Sequence, residues 1–204
     1  MGAVIRPEKT IEKLQRGGKI VVGALGDSLT FGWMVRKGYL DFWKEMIKEA
    51  YPRAELEIIN AGLPGDTAEG GKERLTYDIL PYHPDCVLVE FALNDAYQGY
   101  PVPVFEGNVK AIIEEIHARS QAEVILLTSV YLDNPEEYAL AERFYHCLEK
   151  IARLYELPIA RVHEWWRKKI EEGEEFRSLV QYDLVHPTEK GYHLMAEALM
   201  ELFR

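Results

Sequence analysis

Short, mostly apolar runs alternate along the chain with longer stretches in which apolar residues recur every three or four positions. The short runs are "KIVVGAL" (19–25), "ELEIIN" (55–60), "DCVLVEFA" (85–92), "EVILLTSV" (123–130) and "LPIARV" (157–162), all of strand length. Between them the spacing predicts helices over 38–50, 67–80, 103–119 and 136–155, a shorter one over 163–172 and a last one over 187–203. Strands that stay apolar on both faces and are separated by helices make a parallel sheet covered on both sides. The predicted fold class is therefore α/β, a three-layer α/β/α sandwich around a five-stranded parallel sheet. No repeat, low-complexity segment or linker interrupts it, and "GYPVPV" (99–104) reads as a loop closed by a helix start. One domain over 1–204 is expected, with 1–18 a helical N-terminal extension.

Open parallel sheets bind ligands beyond the carboxyl ends of their strands. At that edge the first run, inside "VVGALGDSLTFG" (21–32), breaks into Asp27, Ser28 and Thr30. These residues fit a turn whose side chains bond nearby backbone, and Ser28 also fits a nucleophile held at a strand end. Three further polar clusters fall on the same edge: "NAGLPGDT" (60–67), "LND" (93–95) and "DLVHP" (183–187). In the last, Pro187 suits a first helical position with His186 just outside it. Asp183, three residues earlier, can curl back to accept the Nδ1 proton of His186, leaving Nε2 free to take a proton from a serine. Alone, the two also fit a loop residue and a helix cap. Together with a strand-end serine they supply the nucleophile, base and orienting acid that acyl transfer requires. Such a site also needs donors for the developing oxyanion. The Ser28 N–H, the Gly62 N–H and the Asn94 amide are the candidates, although Gly62 alone fits a turn glycine and Asn94 a residue bonding its own backbone.

Charge narrows the partners. A formal net charge of -10, with 24 Lys and Arg against 34 Asp and Glu, argues against a nucleic-acid surface. Cys86 and Cys147 lie in apolar and helical runs and read as core thiols, with no disulfide framework or metal knuckle. No His or Cys cluster has ligand spacing, so neither a metal nor another cofactor is expected. The start lacks the apolar stretch of a secretory signal and no segment reaches membrane-spanning length, which makes a cytoplasmic location without membrane insertion the expectation. The expected partner is a small-molecule ester, and a homo-oligomer stays open. Asp27 and Asp95 are expected to hold their loops by accepting backbone hydrogen bonds. His83 precedes its strand, on the wrong edge, while His117, His146 and His193 fall within helices. His163 follows the fifth strand on the functional edge and is assigned a structural role.

The blocks "GDSLTFG", "NAGLPGDT", "ALND" and "DLVHP" resemble, in order and approximate spacing, those of the SGNH, or GDSL, hydrolases, over nearly the whole chain from Val21 to Phe203. The resemblance implies a flavodoxin-like three-layer fold and metal-free hydrolysis of esters and thioesters. It also implies roles: Ser28 as nucleophile, His186 as general base and acid, Asp183 as its partner, and Gly62 and Asn94 as oxyanion donors. One departure is Ala92, where the third block of the family usually has glycine. A catalytically silent ligand-binding relative would keep the fold but lose some of Ser28, Asp183 and His186, and none is missing. A metal-dependent hydrolase using Asp27, Asp183 and His186 is the other rival. The strand-end loops bring Trp33, Tyr97, Tyr131 and Val185 as candidate substrate-binding residues, an aromatic set without a long aliphatic run. A preference for short acyl groups, acetylated sugars included, is expected, with a lysophospholipase or thioesterase acting on longer chains as the alternative.

Overall fold

The computed structural model describes residues 4–204. Five strands, β1 (Gly18–Gly26), β2 (Ala54–Gly62), β3 (Cys86–Glu90), β4 (Glu123–Leu127) and β5 (Ile159–Ala160), form one all-parallel sheet in the order β2-β1-β3-β4-β5. Every residue of β3 is buried, as are the last five of β1, which is why these runs show no polar alternation. The helices are α1 (Glu8–Arg16), α2 (Ser28–Phe31), α3 (Tyr39–Ala50), α4 (Ala68–Asp78), α5 (Leu93–Tyr97), α6 (Val102–Arg119), α7 (Pro135–Tyr155), α8 (Val162–Glu171), α9 (Phe176–Leu179) and α10 (Glu189–Met200). α3, α10 and α8 pack together as one outer layer and α4, α6 and α7 as the other. None of the described helices is long and apolar enough to cross a membrane.

Part of the expected helical extension takes shape as α1, while residues 1–3 lie outside the described residues. α1 buries Ile11 and Leu14 and closes the amino edge of the sheet. There Thr10 donates through its N–H and hydroxyl to Glu123 Oε2, both at 2.7 Å, and Lys13 reaches Asp85 at 2.5 Å.

The fifth apolar run breaks up. Only Ile159 and Ala160 pair with β4, because Pro158 has no N–H and α8 already begins at Val162. The fourth run ends as a strand at Leu127, level with Glu90 at the end of β3. The last helix also starts later than the spacing predicts. Thr188, not His186, caps α10, its hydroxyl accepting from the Gly191 N–H at 3.3 Å. Pro187 is drawn instead into an antiparallel bridge with Val180.

Candidate active site

The register aligns the strand ends: Gly26 sits level with Gly62 on one side and Glu90 on the other, and Glu90 level with Leu127. β1 is followed in the chain by β2 to one side and flanked by β3 on the other. Chain direction across the sheet therefore reverses at β1/β3, where open α/β sheets form their binding crevice. Ser28 leaves β1 and Asn94 follows β3 at that point.

Asp27 caps the short helix α2 by accepting the Leu29 N–H at 2.8 Å, and Gly32, in the left-handed region at φ 84°, ends it. This single turn presents Ser28, which is only 8% exposed. The histidine arrives on a hairpin-like loop. The Gln181 N–H donates to His186 O at 2.8 Å and the Thr188 N–H to Leu179 O at 2.9 Å, while Leu184 takes the left-handed conformation at φ 64° to turn the chain. That turn lets Asp183 Oδ1 accept the N–H groups of Val185 and His186, both at 3.0 Å. Asp183 Oδ2 then lies 2.6 Å from His186 Nδ1, and His186 Nε2 lies 2.9 Å from Ser28 Oγ. A carboxylate beside Nδ1 places the ring proton there, so Nε2 presents its lone pair to the serine hydroxyl. Partial burial works against the Asp183 charge, but the bonds from the His186 ring and from the two backbone N–H groups outweigh it and hold this carboxyl below its usual range.

The two loops are tied directly. Gln181 Nε2 donates to Trp33 O at 2.9 Å and to Pro187 O at 2.8 Å, bridging the serine loop to the histidine loop. Tyr192 accepts the Trp33 N–H at 3.1 Å. The Trp33 ring stands 6.0 Å from that of His186. Nothing in the spacing of Gln181 or Tyr192 marked them, since both act through carbonyls and amides distant in sequence.

The oxyanion donors need one correction. Gly62 closes β2, and its N–H is taken by Asn60 Oδ1 at 2.9 Å instead of facing the crevice. What requires a glycine there is packing: a Cβ would come within 2.2 Å of the Phe31 backbone nitrogen. The same block supplies another N–H at Gly65, in the left-handed region at φ 82°, which makes no hydrogen bond among the described residues. The Ser28 N–H is likewise unengaged, as the first amide of α2. The signal that could have found Gly65 was the Pro64-Gly65 pair, a turn dipeptide whose glycine takes positive φ. Asn94 lines the cavity beside Ser28, and its Nδ2 donates to Asp66 O at 2.8 Å and to Asp27 Oδ2 at 3.2 Å. Ala92 is fully buried with φ 164°, extended backbone that any residue adopts, so the missing family glycine leaves no strain under Asn94.

A cavity of about 230 Å³ opens over Ser28, lined by Leu29, Leu93, Asn94, Tyr97, Val185 and His186, with Asp27 and Asp183. Tyr97 and Val185 thus line this cavity, and Trp33 flanks the histidine. Tyr131 does not line the cavity: its ring packs 4.7 Å from Tyr138 and 6.2 Å from Phe176. His163 is buried, its Nδ1 2.8 Å from Thr128 Oγ1 and its ring 4.6 Å from Tyr145, and burial lowers its pKa to about 3. Among the described residues no group of three or more His, Cys, Asp and Glu side chains is arranged to hold a metal ion.

Beneath the site lie buried carboxyls. Asp27 is pushed well above its ordinary range by burial and by the facing Glu90 carboxyl, and burial raises Glu90 as well. Glu90 accepts Ser129 Oγ at 2.6 Å and Thr30 Oγ1 at 3.1 Å. Asp95 is raised by burial to about 7, although it accepts the Ala68 N–H at 3.1 Å. A carboxyl raised in the folded state binds its proton more tightly there than in the unfolded chain. Its contribution is complete below the unfolded pKa of about 3.9 and is lost as pH rises towards about 7. Asp95→Asn, which cannot ionise, should therefore flatten the fall in melting temperature between pH 4 and 7. Parallel melting curves for variant and wild type across that window would show that Asp95 does not titrate as described.

Residues 24–194 match the model of the GDSL-like Lipase/Acylhydrolase family. An acetylxylan esterase of Geobacillus stearothermophilus is 20% identical over 176 residues, 80% of this chain and 79% of that one. Thioesterase 1/protease 1/lysophospholipase L1 of Escherichia coli K12 is 24% identical over 135 residues, 66% of this chain and 62% of that one. Among solved structures, the acetylxylan esterase Axe2 of G. stearothermophilus superposes with a TM-score of 0.81 at 18% identity, covering 93% of this chain and 96% of that one. A lipase/acylhydrolase of Enterococcus faecalis gives a TM-score of 0.75 at 27% identity, covering 89% of this chain and 94% of that one.

Proposed function

This chain belongs to the GDSL-like lipase/acylhydrolase family, and from that premise we propose that it is a serine esterase hydrolysing carboxylic esters through an acyl-enzyme. The observation that carries the reading is the relay from Asp183 Oδ2 to His186 Nδ1 at 2.6 Å and from His186 Nε2 to Ser28 Oγ at 2.9 Å, at the floor of a cavity. His186 takes the Ser28 proton as Oγ attacks the ester carbonyl, and a tetrahedral intermediate forms. His186 then delivers that proton to the departing alcohol, leaving Ser28 acylated. Water, deprotonated by the same imidazole, attacks the acyl carbonyl; the Ser28–acyl bond breaks, and His186 returns the proton to Oγ. The Ser28 and Gly65 N–H groups are free to meet the oxyanion. Asn94 joins them with the N–H that now makes the longer bond, to Asp27 at 3.2 Å. Asp183 orients the imidazole and balances its positive charge while the intermediate lasts.

The cavity bears on the substrate. At about 230 Å³ it is smaller than the roughly 300–1,000 Å³ that drug-sized ligands occupy, and Leu93, Tyr97 and Val185 line it with apolar surface. This supports a short acyl group, such as the acetyl named for the Geobacillus relative. A second reading has support too: Phe31 (52% exposed) at the end of α2, with Met34 (69%) and Leu63 (50%) on the loops that follow α2 and β2, leaves apolar surface where a longer chain could lie. A series of p-nitrophenyl esters from acetate to palmitate separates them. For the short-acyl reading kcat/KM is highest between acetate and about hexanoate, whereas a maximum at long chains or activation by lipid interfaces establishes the longer-chain enzyme instead.

A further inference from the structure

The guanidinium of Arg74, on α4, sits 15% exposed behind the site and meets four oxygens. Nη2 donates to Gly26 O at 2.9 Å and Nη1 to Ala61 O at 2.6 Å. Nε donates to Asp66 Oδ2 at 2.7 Å, and Nη1 also reaches Asp78 Oδ2 at 3.1 Å. The first two acceptors are carbonyls at the carboxyl ends of the adjacent strands β1 and β2, where the sheet ladder stops. Gly26 is two residues before Ser28, and its carbonyl also accepts the Leu63 N–H at 3.0 Å. Asp66 follows Gly65, and its own carbonyl holds Asn94 Nδ2 at 2.8 Å. Gly70 is part of the same arrangement, since a Cβ there would fall 2.0 Å from Asp66 Oδ1. One planar cation thus joins the strand that carries the nucleophile to the turn that carries Gly65 and, through Asp66, to Asn94.

We propose that Arg74 is a positioning residue for the reaction, locking the β1 end and the 63–66 turn together so that the Ser28 N–H, the Gly65 N–H and the Asn94 amide converge on one oxyanion. The proposal rests on the serine-esterase reading. The geometry calls for arginine in particular. A guanidinium presents five donors in a rigid plane, which suits acceptors on three different segments; a lysine ammonium is a point charge on a flexible stem and cannot span them. Donors displaced by about 1 Å lose transition-state stabilisation on the order of 10²-fold while leaving the ground-state complex nearly as stable. The loss should therefore appear in kcat and not in KM.

Arg74→Ala and Arg74→Lys, assayed on p-nitrophenyl acetate, should each lower kcat by roughly 10²-fold with KM little changed. Guanidinium ion, added well below denaturing concentrations, should restore part of the Arg74→Ala rate in a saturable way. Urea, of the same shape but neutral, should not. If Arg74→Ala does not fold, Arg74→Lys and Asp66→Asn carry the test; the latter removes the ion pair but keeps the carbonyl that holds Asn94. A folded Arg74 variant with wild-type kcat, a loss confined to KM, or a kcat loss in folded Arg74→Ala that guanidinium leaves untouched overturns the proposal. Ser28→Ala in the same assay separates the two levels. If it stays active the serine reading itself fails, whereas inactive Ser28→Ala beside fully active Arg74→Ala overturns only the role of Arg74.

Discussion

Ser28→Ala is expected to abolish turnover while leaving the fold and melting temperature close to those of the wild type. In the proposed mechanism Ser28 Oγ is the atom that forms and breaks the acyl bond, and it lies 2.9 Å from His186 Nε2. Removing the nucleophile of a serine hydrolase costs roughly 10⁶ in kcat, leaving only the residual rate that oxyanion donors and binding provide. The structural loss is one partly buried hydrogen bond, worth about 1 kcal/mol. The methyl of alanine fits where the Cβ already sits, so circular dichroism and melting should change little. Treating the wild type with a p-nitrophenyl phosphonate should place a single adduct on Ser28 by mass spectrometry. An adduct on another residue, or turnover surviving in a folded Ser28→Ala, would remove Ser28 from the mechanism.

Asp183→Asn should be nearly as damaging, by roughly 10⁴-fold in kcat, the scale seen when the same exchange is made in serine proteases. Asp183 now accepts three hydrogen bonds: from His186 Nδ1 at 2.6 Å and from two backbone N–H groups at 3.0 Å. An asparagine has one oxygen for them. If that oxygen keeps the backbone bonds, its amide donates to Nδ1, moves the ring proton to Nε2 and aims it at the serine, the wrong tautomer for a base. If the amide faces the backbone instead, two N–H groups lose their acceptor and the loop opens. Either way kcat falls, and KM distinguishes them, staying near wild type only where the loop survives. The pH profile gives an independent reading. His186 must be neutral to accept the serine proton, so wild-type kcat/KM should fall as the medium is acidified. The hydrogen bonds around Asp183 hold its carboxyl below the usual range, so its charge persists into more acidic solution than that of an ordinary carboxylate. A flat profile with chemistry rate-limiting would count against His186, and Asp183→Asn with more than about a tenth of the wild-type kcat would show that Asp183 is not the orienting acid.

The parts of this protein that could be read from the chain are those in which chemistry is dictated by near neighbours. Apolar runs between amphipathic stretches yield the parallel α/β sheet, because a strand buried on both faces leaves no room for polar alternation. The three-residue step from Asp183 to His186 predicts their contact, because one tight turn is the longest path the chain must close. The break at Gly26 puts Ser28 at a strand end for the same local reason. What the chain alone did not yield depends on which distant group arrives beside a given atom. Gly62 ends β2 and Gly65 lies in the turn just after it, and both lack a Cβ, yet Asn60 takes the N–H of the first and nothing among the described residues takes that of the second. Tyr131 leaves a strand end as Tyr97 leaves another, but Tyr138 and Phe176 draw its ring away from the cavity. Pro187 has the residue type of a helix start and pairs with Val180 instead. Arg74 joins the ends of β1 and β2, and Gln181 joins segments from opposite ends of the chain, both through backbone carbonyls, groups that every residue carries and that no residue type can mark. Local covalent geometry determined the elements and the contact of Asp183 with His186; the choice among equivalent backbone donors and acceptors was left to tertiary packing, because a hydrogen bond is specific to position in space and not to position in sequence.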